Sequence, residues 1–380
     1  MKILHTSDWH LGRSLHREGL LDAQSAFVDH LVETVRAERV DLVLVAGDVY
    51  DRALPPVDAV ALAHEALGRL AALDVPVVIT SGNHDSARRL GFAADLIATS
   101  GVHLRTDPSR LHEPVMVGDP DGDVAVYGLP YLEPELLREP WGLPGRSHRA
   151  VMDEAMARVR ADLARRGGAR SVVLAHAWIT GGQPSESERD IGVGGIAQVP
   201  ASTFDGIDYV ALGHLHGRQR ITKRVRYSGS PLAFSFSEVH HTKGSWLVDL
   251  GPDGAVSAEF IAAPVPRRLG TITGHLEGLL RDPAHTDLED RWLQVTLTDP
   301  QRPRAAMERV RTRFPHALVL QFAPVGRVPG ERCAPDVTGR SDRQVLTEFV
   351  TAVREVGADP AEQALLEAAC DACAADEVGA

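Results

Sequence analysis

The sequence predicts a layered α/β fold, because short apolar runs alternate with stretches whose apolar residues recur at helical spacing. The runs are unbroken and rich in β-branched residues, which is typical of strands that are buried on both faces. Helices are predicted for residues 23–39, where Phe27, Leu31 and Val35 share one face, and for residues 57–73. Strands are predicted for residues 2–6, 42–46, 75–80, 171–174 and 209–212.

A block of polar residues follows each predicted strand. Ligands of such folds gather beyond the carboxyl ends of the strands, so we expect these blocks to meet at one edge. Carboxylates, an amide and imidazoles without a thiol are the ligands of a pair of hard to borderline cations, not of a structural zinc site. The sequence therefore predicts a dimetal centre and metal-assisted hydrolysis. The blocks are Asp8 with His10, Asp48 with Asp51, Asn83 with His84 and Asp85, His176, and His214 with His216.

Each of these residues taken alone has a simpler explanation. A histidine such as His176 after a strand is more often a hydrogen-bonded core or surface residue. Asp8 could cap a helix, and Asn83 could belong to a turn. Five such blocks at one predicted edge favour the dimetal interpretation over these alternatives.

The same blocks resemble the motifs of the calcineurin-like metallophosphoesterases. Within that family, residues 1–12, 208–216 and 225–231 are most similar to the bacterial nuclease subunits that act with an SbcC-type ATPase. The resemblance covers most of the chain and is strongest up to about Glu238. It implies a layered metallophosphoesterase domain, a small α+β capping domain and a helical C-terminal tail.

The resemblance also implies two divalent metal ions, with manganese as the expected metal. Asp48 would bridge the two ions and hold them roughly 3.5–4 Å apart, so that one can activate water while both neutralise the charge that grows on a phosphodiester. One ion would be bound by Asp8, His10, Asp48 and His216, and the other by Asp48, Asn83, His176 and His214.

Three neighbours of these ligands are expected to have other roles. By resemblance, His84 binds no metal and stabilises or protonates the departing sugar oxygen. Asp85 either orients His84 or caps a helix predicted for residues 86–97, and the sequence leaves both roles open. Asp51 stands where some relatives have histidine, and we expect an outer or structural role for it.

The chain is expected to have three parts. Residues 1–262 would form the nuclease domain, residues 263–325 the capping domain, and residues 326–380 a linker and C-terminal helices. A turn and a proline-containing segment after residue 250 indicate the first boundary. By resemblance, the capping domain helps to seat DNA and the tail docks on the SbcC-type ATPase.

The two later parts have their own predicted elements. Residues 292–298 and 317–322 read as strands, with a helix between them over residues 303–314. Residues 342–377 read as two helices, separated near Gly357 and Pro360. A packed helical pair without a partner is the alternative interpretation of this tail.

Charge, hydropathy and cysteine content bear on how the protein could bind DNA and on where it resides. A formal net charge of -12 argues against DNA binding by the bulk electrostatic field, although local arginines and two bound cations could contact phosphates. The sequence has no apolar run that could span a membrane and no signal-peptide pattern. Three cysteines do not suggest a disulfide framework, so cytoplasmic residence is the default expectation.

The resemblance implies a metal-dependent DNA nuclease that works with an SbcC-type ATPase, as a homodimer within the complex, in DNA repair and recombination. It would act as an exonuclease on duplex ends and as an endonuclease on single strands or hairpins. A phosphomonoesterase or cyclic-nucleotide phosphodiesterase and a non-catalytic scaffold are the alternatives. The complete ligand set favours an enzyme over a scaffold, and the two later parts favour a nuclease over a minimal phosphatase.

Overall fold

The computed structural model describes residues 1–192, 198–325, 339–354 and 356–378, with side chains described up to residue 372. The linker expected at the start of the third part, residues 326–338, therefore lies outside the described residues. The described chain forms two compact units. Residues Met1–Leu297 and Pro303–Phe322 make up the first unit, and Thr298–Arg302 and Ala323–Ala380 the second.

The strands form in short apolar runs that are rich in β-branched and aromatic residues, which favour the β conformation. In chain order they are β1 (Lys2–Thr6), β2 (Ser14–Leu15), β3 (Glu18–Gly19), β4 (Leu42–Ala46), β5 (Val77–Thr80), β6 (Val102–Arg105), β7 (Val115–Asp119), β8 (Gly122–Leu129), β9 (Arg170–His176), β10 (Tyr209–Gly213), β11 (Gln219–Arg220), β12 (Val225–Tyr227), β13 (Gly244–Leu250), β14 (Val256–Ala262), β15 (Leu269–Gly274), β16 (Trp292–Leu297) and β17 (Ala317–Phe322).

The three longest helices of the first unit each bury one face, because their apolar residues recur at helical spacing. Within the described chain, no helix has the length and apolar character needed to cross a membrane. The helices are α1 (Leu21–Glu38), α2 (Val57–Ala71), α3 (Ala87–Leu90), α4 (Ala94–Ile97), α5 (Pro134–Leu137), α6 (His148–Leu163), α7 (Leu276–Arg281), α8 (Ala306–Arg311), α9 (Asp342–Arg354) and α10 (Pro360–Val378).

Two six-stranded sheets make up most of the first unit. The strand order is β14-β13-β1-β4-β5-β6 in one sheet and β11-β12-β10-β9-β8-β7 in the other. Each sheet contains four neighbouring parallel strands: β1, β4, β5 and β6 in the first, and β12, β10, β9 and β8 in the second. Antiparallel strands flank these parallel sets.

The sheets pack face to face, and helices cover their outer faces. Alternating residues of each strand point to opposite sides. Ile3 and Leu44 therefore enter the core between the sheets, while Leu4 and Val43 pack with α1 and α2. Helix α6 covers the second sheet in the same way. The result is a helix, sheet, sheet, helix sandwich, which confirms the predicted layered α/β class.

A three-stranded parallel sheet, β15-β16-β17, follows the sandwich within the first unit. It has its own core with α7 and α8, which includes Leu293, Val310 and Phe314. A separate apolar cluster joins this sheet to the sandwich through Phe236 and Leu269. The strands and helix predicted for residues 292–322 are confirmed, and β15 and α7 precede them without having been predicted.

The second unit contains the two predicted C-terminal helices, α9 and α10. Gln363 Nε2 donates to Thr347 Oγ1 at 3.3 Å, and Arg354 Nη1 lies 2.7 Å from Glu362 Oε1. These contacts join the helices as a hairpin. The side chain of Phe349 nevertheless remains exposed.

The helix predicted for residues 86–97 is wrong as a single element. The structure has two short helices, α3 and α4, because Ala93 adopts a left-handed conformation with φ of 57° between them. Gly91, which precedes this break, packs so closely on Thr106 that a Cβ there would collide with the threonine hydroxyl. Packing against β6 therefore overrides the local helical pattern.

Candidate dimetal centre

The carboxyl ends of five parallel strands, three from the first sheet and two from the second, bring the seven predicted ligands together. Six of these side chains are almost completely buried, and that of Asn83 is partly buried. Asp8 and His10 follow β1, Asp48 follows β4, Asn83 follows β5, His176 ends β9, and His214 and His216 follow β10.

The backbone at these strand ends is held in an uncommon conformation. Asp8, His10, Asp48 and His214 all have positive φ, at 53°, 45°, 50° and 105°. Such a conformation costs a non-glycine residue on the order of 1–3 kcal/mol and persists only where surrounding contacts impose it. Main-chain hydrogen bonds from Asp8 to the Gly47 carbonyl and from His10 to the Asp48 carbonyl, both 3.0 Å, are among those contacts.

Two glycines allow the strand ends to approach each other. A Cβ on Gly82 would collide with the Asp48 carboxylate, and one on Gly47 would collide with the His176 ring. Gly47 also has φ of 86°, which favours glycine. Both glycines are therefore required by packing around the candidate ligands.

The first group of ligand atoms contains two imidazoles that face each other. His10 Nε2 lies 3.1 Å from His216 Nε2 and 3.6 Å from Asp48 Oδ2. Asp8, His10 and His216 each offer a ligand atom within 4.8 Å of the others. Ser7 Oγ donates to Asp8 Oδ2 at 2.5 Å and fixes that carboxylate.

The second group of ligand atoms surrounds the Asn83 amide oxygen. Asn83 Oδ1 lies 2.9 Å from His176 Nε2 and 3.2 Å from His214 Nδ1. Asp48 Oδ2 is 3.4 Å from His176 Nε2. Because the same oxygen also lies near His10, Asp48 stands between the two groups, where a bridging carboxylate would lie.

The hydrogen-bonding pattern tests whether cations fit here. His176 Nδ1 donates to the Ala46 carbonyl at 2.9 Å, so in the neutral ring Nε2 carries a lone pair. That lone pair faces oxygens of Asn83 and Asp48, which accept hydrogen bonds and donate none. Acceptors that converge on one point require a proton or a cation between them, so the donor set suits two divalent ions.

The pKa values show how the metal-free site balances the negative charge of its buried carboxylates: His176 takes up a proton. Burial works to lower the pKa of His176, but the charges of Asp48 and Asp8 raise it to about 9. Burial lowers the pKa of His10 and of His214, and both rings are therefore neutral, as metal ligands must be. Although burial opposes it, the charge of His176 holds the pKa of Asp48 well below its usual value. A bound cation would take the place of the His176 proton.

His84 lies beside both ligand groups and is held by the main chain. Its ring Nδ1 donates to the Asp51 carbonyl at 2.8 Å. The other ring nitrogen, Nε2, takes no part in this hydrogen bond. Its backbone N–H donates to Asp48 Oδ1 at 2.8 Å. His10, Asp48 and His84 also offer ligand atoms within 4.8 Å of one another, so the geometry allows His84 a metal role as well as the acid role expected from the sequence.

Asp51 lies on the outer side of His10. Its Oδ1 is 3.7 Å from His10 Nδ1 and 3.7 Å from Arg13 Nε. The carboxylate therefore faces the ring nitrogen of His10 opposite the one near His216. This placement agrees with the outer position expected for Asp51.

Asp85 has neither of the two roles expected from the sequence. Its carboxylate accepts hydrogen bonds from the backbone N–H groups of Val49 at 3.1 Å, Tyr50 at 2.9 Å and Gly82 at 2.9 Å. None of these groups lies in a helix, and the His84 ring is held by Asp51 instead. Burial and the charge of Asp48 raise the pKa of Asp85 to about 7, against the effect of the three N–H groups. Asp85 thus ties the segment after β4 to the segment after β5.

Sequence reasoning missed a set of polar residues behind His216, all buried except Glu188, which is partly buried. Ser187, Glu188, Glu238 and Lys243 all contact His216 directly or through one another. They lie in connecting segments outside the predicted strands, and no motif marked them. The five-residue separation of Glu238 and Lys243 is a weak signal, because any surface loop can carry such a pair.

Comparison with known proteins finds two family models that match this chain. Residues 1–218, more than half of the chain, match the family model described as calcineurin-like phosphoesterase. Residues 265–354 match a second model, the SbcD C-terminal domain, which is described as the type 5 capsule protein repressor C-terminal domain.

Solved structures with a similar chain path come from distant proteins. The protein TT1561 of Thermus thermophilus has 14% identity and a TM-score of 0.39, and the match covers 68% of this chain and 98% of that one. A dimetal phosphatase from Danio rerio has 14% identity and a TM-score of 0.38, with 65% and 92% covered. GAP50, the anchor in the inner membrane complex of Plasmodium, has 9% identity and a TM-score of 0.40, with 87% and 99% covered.

Proposed function

This chain belongs to the calcineurin-like phosphoesterase family, and from that premise we propose that it is an SbcD-type nuclease subunit that hydrolyses phosphodiester bonds in DNA. The observation that carries the proposal is the combination of two features in one chain. In the sandwich, side chains that could hold two metal ions lie together, and residues 265–354 match the SbcD C-terminal domain. A minimal phosphatase would need only the first feature.

The proposed chemistry is direct hydrolysis without a covalent intermediate. When bound, two divalent ions would lower the pKa of a water molecule and neutralise charge on the phosphodiester. Asp8, His10, Asp48 and His216 would hold one ion, and Asp48, Asn83, His176 and His214 the other. Manganese is our proposed metal, because the family resemblance implies it and carboxylate and amide oxygens suit it.

His84 would assist departure of the leaving group. Because Nδ1 keeps its proton in the hydrogen bond to the Asp51 carbonyl, the proton that the imidazolium form can transfer lies on Nε2. The attacking water would first give up a proton to solvent. As its oxygen bonds to phosphorus, the bond to the sugar oxygen breaks, that oxygen takes the proton from His84 Nε2, and the ring is left neutral. Asp51 contributes to this step through its main-chain carbonyl, and its carboxylate faces His10 and Arg13.

The substrate proposal is tested by direct comparison of esters. Purified full-length chain would be incubated with Mn²⁺ and an end-labelled hairpin DNA, a blunt duplex, and p-nitrophenyl phosphate as a monoester. We expect cleavage of the hairpin and of the duplex end, with slower hydrolysis of the monoester. Asp48→Ala serves as the inactive control. Rapid monoester hydrolysis without DNA cleavage would contradict the nuclease proposal and favour a phosphatase.

We further propose that the second unit docks on an SbcC-type ATPase. The α9-α10 hairpin leaves apolar side chains exposed, at Phe349, Val353 and Leu365, and α9 belongs to the region that matches the SbcD C-terminal domain. Exposed apolar side chains of this kind are typical of partner-binding surfaces. The acidic net charge of -12 also favours a partner that supplies most of the DNA affinity.

Truncation after Gly339 tests the docking proposal. The truncated chain should still cleave short substrates with added Mn²⁺, and it should lose co-purification with the ATPase and the stimulation of cleavage on long duplexes. Phe349→Asp in the full-length chain should produce the same loss without the truncation. Normal complex formation by the truncated chain, or tight duplex binding by the isolated full-length chain in a gel shift, would refute this division of labour.

A homodimer within the complex is the last part of the proposal. Exposed apolar side chains are frequent around α2 and α4 of the first unit, and they support a self-association surface there. Sedimentation velocity of Phe92→Glu against Met116→Glu, an exposed apolar position on β7, would test it. We expect dissociation for the first variant only. The exposed apolar residues are Leu54, Val57, Val60, Phe92 and Leu96.

A further inference from the structure

We propose that Ser187, Glu238 and Lys243 form a buried hydrogen-bonded relay that fixes the orientation and the tautomer of His216. The inference rests on the proposed function only through the two-cation centre, and it holds whichever phosphoester is the substrate. All three are positioning residues, since none of them faces the ligand cluster directly. They come from three separate segments: the connection between β9 and β10, the 3-10 turn Phe236–Glu238, and the residue before β13.

The relay is continuous and largely buried. Ser187 Oγ makes a short hydrogen bond with His216 Nδ1 and lies 2.6 Å from Glu238 Oε1. Lys243 Nζ bonds to the other carboxylate oxygen of Glu238. Ser187 is 9% exposed, Glu238 1% and Lys243 5%. The carboxylate at the middle of the relay is therefore shielded from bulk water.

The direction of the hydrogen bonds follows from the chemistry of the groups. Glu238 is paired with an ammonium, so its carboxylate is ionised and can only accept. The Ser187 hydroxyl must then donate to Glu238, which leaves the serine oxygen to accept from His216 Nδ1–H. With its proton on Nδ1, His216 directs the Nε2 lone pair toward His10 and the first ligand group.

The main chain of His216 is held by the same set of residues. Lys243 Nζ donates to the His216 carbonyl at 2.8 Å and to Ser230 Oγ at 2.9 Å, which uses the remaining donors of the ammonium. The backbone N–H of His216 donates to Glu188 Oε1 at 2.7 Å. The ring and the backbone of one ligand are thus fixed from opposite sides.

A purely structural role for this ion pair is a weaker explanation. Burying a carboxylate and an ammonium is costly, and an apolar pair of similar volume often stabilises a protein equally well. Partners of metal-bound histidines, by contrast, orient the ring and increase its basicity, and their loss typically weakens metal binding by about 10–100-fold. The position of the pair, one hydroxyl away from His216, fits the second explanation.

The test is cation binding by the full-length protein in the absence of DNA. Ser187→Ala should weaken the affinity for one of two Mn²⁺ ions by about 10–100-fold in calorimetric titration and leave the other within about twofold. The visible absorption of bound Co²⁺ should change, because the spectrum reports ligand geometry. Ser187→Thr, which keeps the hydroxyl, should restore both properties. Ser171→Ala is the matched control, since Ser171 is also buried and bonds a carboxylate, at the opposite end of β9.

A second variant guards against a folding defect in the first. Glu238→Leu combined with Lys243→Met removes the acceptor of the Ser187 hydrogen bond and both charges together, and should produce the same selective loss of one cation. Unchanged affinities and an unchanged Co²⁺ spectrum in either variant would overturn the relay, as would an equal loss of both cations. Two tightly bound ions without DNA cleavage in the unaltered chain would instead overturn the nuclease proposal alone.

Discussion

The two halves of the metal centre are held in different ways. In the half that contains His176 and Asn83, the main chain supplies the support: His176 donates to the Ala46 carbonyl, and Asp85 binds backbone N–H groups of Val49, Tyr50 and Gly82. In the half that contains His216, side chains from distant segments supply it. The candidate ligands of both halves lie at strand ends, but His216 takes its support from loops packed behind them.

This difference explains how each half responds to change. A main-chain carbonyl survives any substitution of its own side chain, so we expect the His176 half to be sensitive mainly to the Asp85 carboxylate and to residues that alter the spacing of the strands. The His216 half depends on the hydroxyl, carboxylate and ammonium groups themselves. We therefore expect that a single substitution far from the strand ends weakens the binding of one cation selectively.

The largest effect is expected where the two halves share a residue. Asp48→Ala should remove both cations and abolish hydrolysis, because its carboxylate oxygen lies near His10 in one half and near His176 in the other. Metal analysis of the purified variant is the measurement, with Asp29→Ala, an exposed carboxylate paired with Arg69, as the control. Two tightly bound ions in the Asp48→Ala variant would contradict the bridging role of Asp48 and would show that each half binds its cation without the other.

The next effect separates proton transfer from metal binding. His84→Gln should lower turnover on DNA by about 10²–10⁴-fold and leave the cation content unchanged, because its Nδ1 is held by a carbonyl and its Nε2 is the group proposed to donate. His64→Gln, on the exposed face of α2, is the control. Loss of one cation in the first variant would instead make His84 a ligand in the group that contains His10 and Asp48.

The two halves also differ in how far the sequence predicts them. Strand-end patterns predicted every residue of the two candidate ligand groups, and the fold brings these residues together at one edge, because each follows a strand of the two sheets. The relay behind His216 depends on segments that meet only in the folded chain, 51 positions apart for Ser187 and Glu238. The role of Asp85 was wrong for a related reason: its partners, Val49 and Tyr50, precede it by more than thirty positions. Local sequence patterns therefore predict the candidate ligands. The residues that hold those ligands in place depend on tertiary contacts, which local patterns do not reveal.

Removal of the cations should have a smaller effect, and one that depends on pH. In metal-free protein the folded pKa of His176 is about 9, above its ordinary value of 6.5, so its stabilising contribution is present below pH 6.5 and is lost as the pH rises to 9. The loss should reach up to about 3 kcal/mol in the free energy of unfolding. Asp8, whose pKa is raised by burial, acts in the same direction. His10 and His214, whose pKa values burial lowers, act in the opposite direction, but only as the pH falls below their ordinary value of 6.5. Urea unfolding at pH 7 and pH 9, with EDTA and with saturating Mn²⁺, therefore measures the contribution of His176.

Saturating cation should flatten that pH dependence, because a bound ion replaces the proton on His176. The ion should also stabilise the folded state by about 2.7 kcal/mol at a concentration 100 times its dissociation constant. A metal-free protein whose stability rises between pH 6.5 and 9 would contradict the placement of His176 against Asp48 and Asn83.

The smallest effect tests how closely the strand ends must pack. Gly82→Ala places a methyl group against the Asp48 carboxylate, so either Asp48 or the segment after β5 must move. Overpacking of this kind typically costs about 1–3 kcal/mol in the free energy of unfolding. Gly68→Ala is the matched control, because no atom lies within 4 Å of its added Cβ and it stands inside α2, where alanine is favoured by about 1 kcal/mol. Opposite signs for the two variants in urea unfolding, with weakened Mn²⁺ binding in the first alone, are expected. Equal stabilisation by both would show that the main-chain-held half tolerates a wider spacing than its geometry implies.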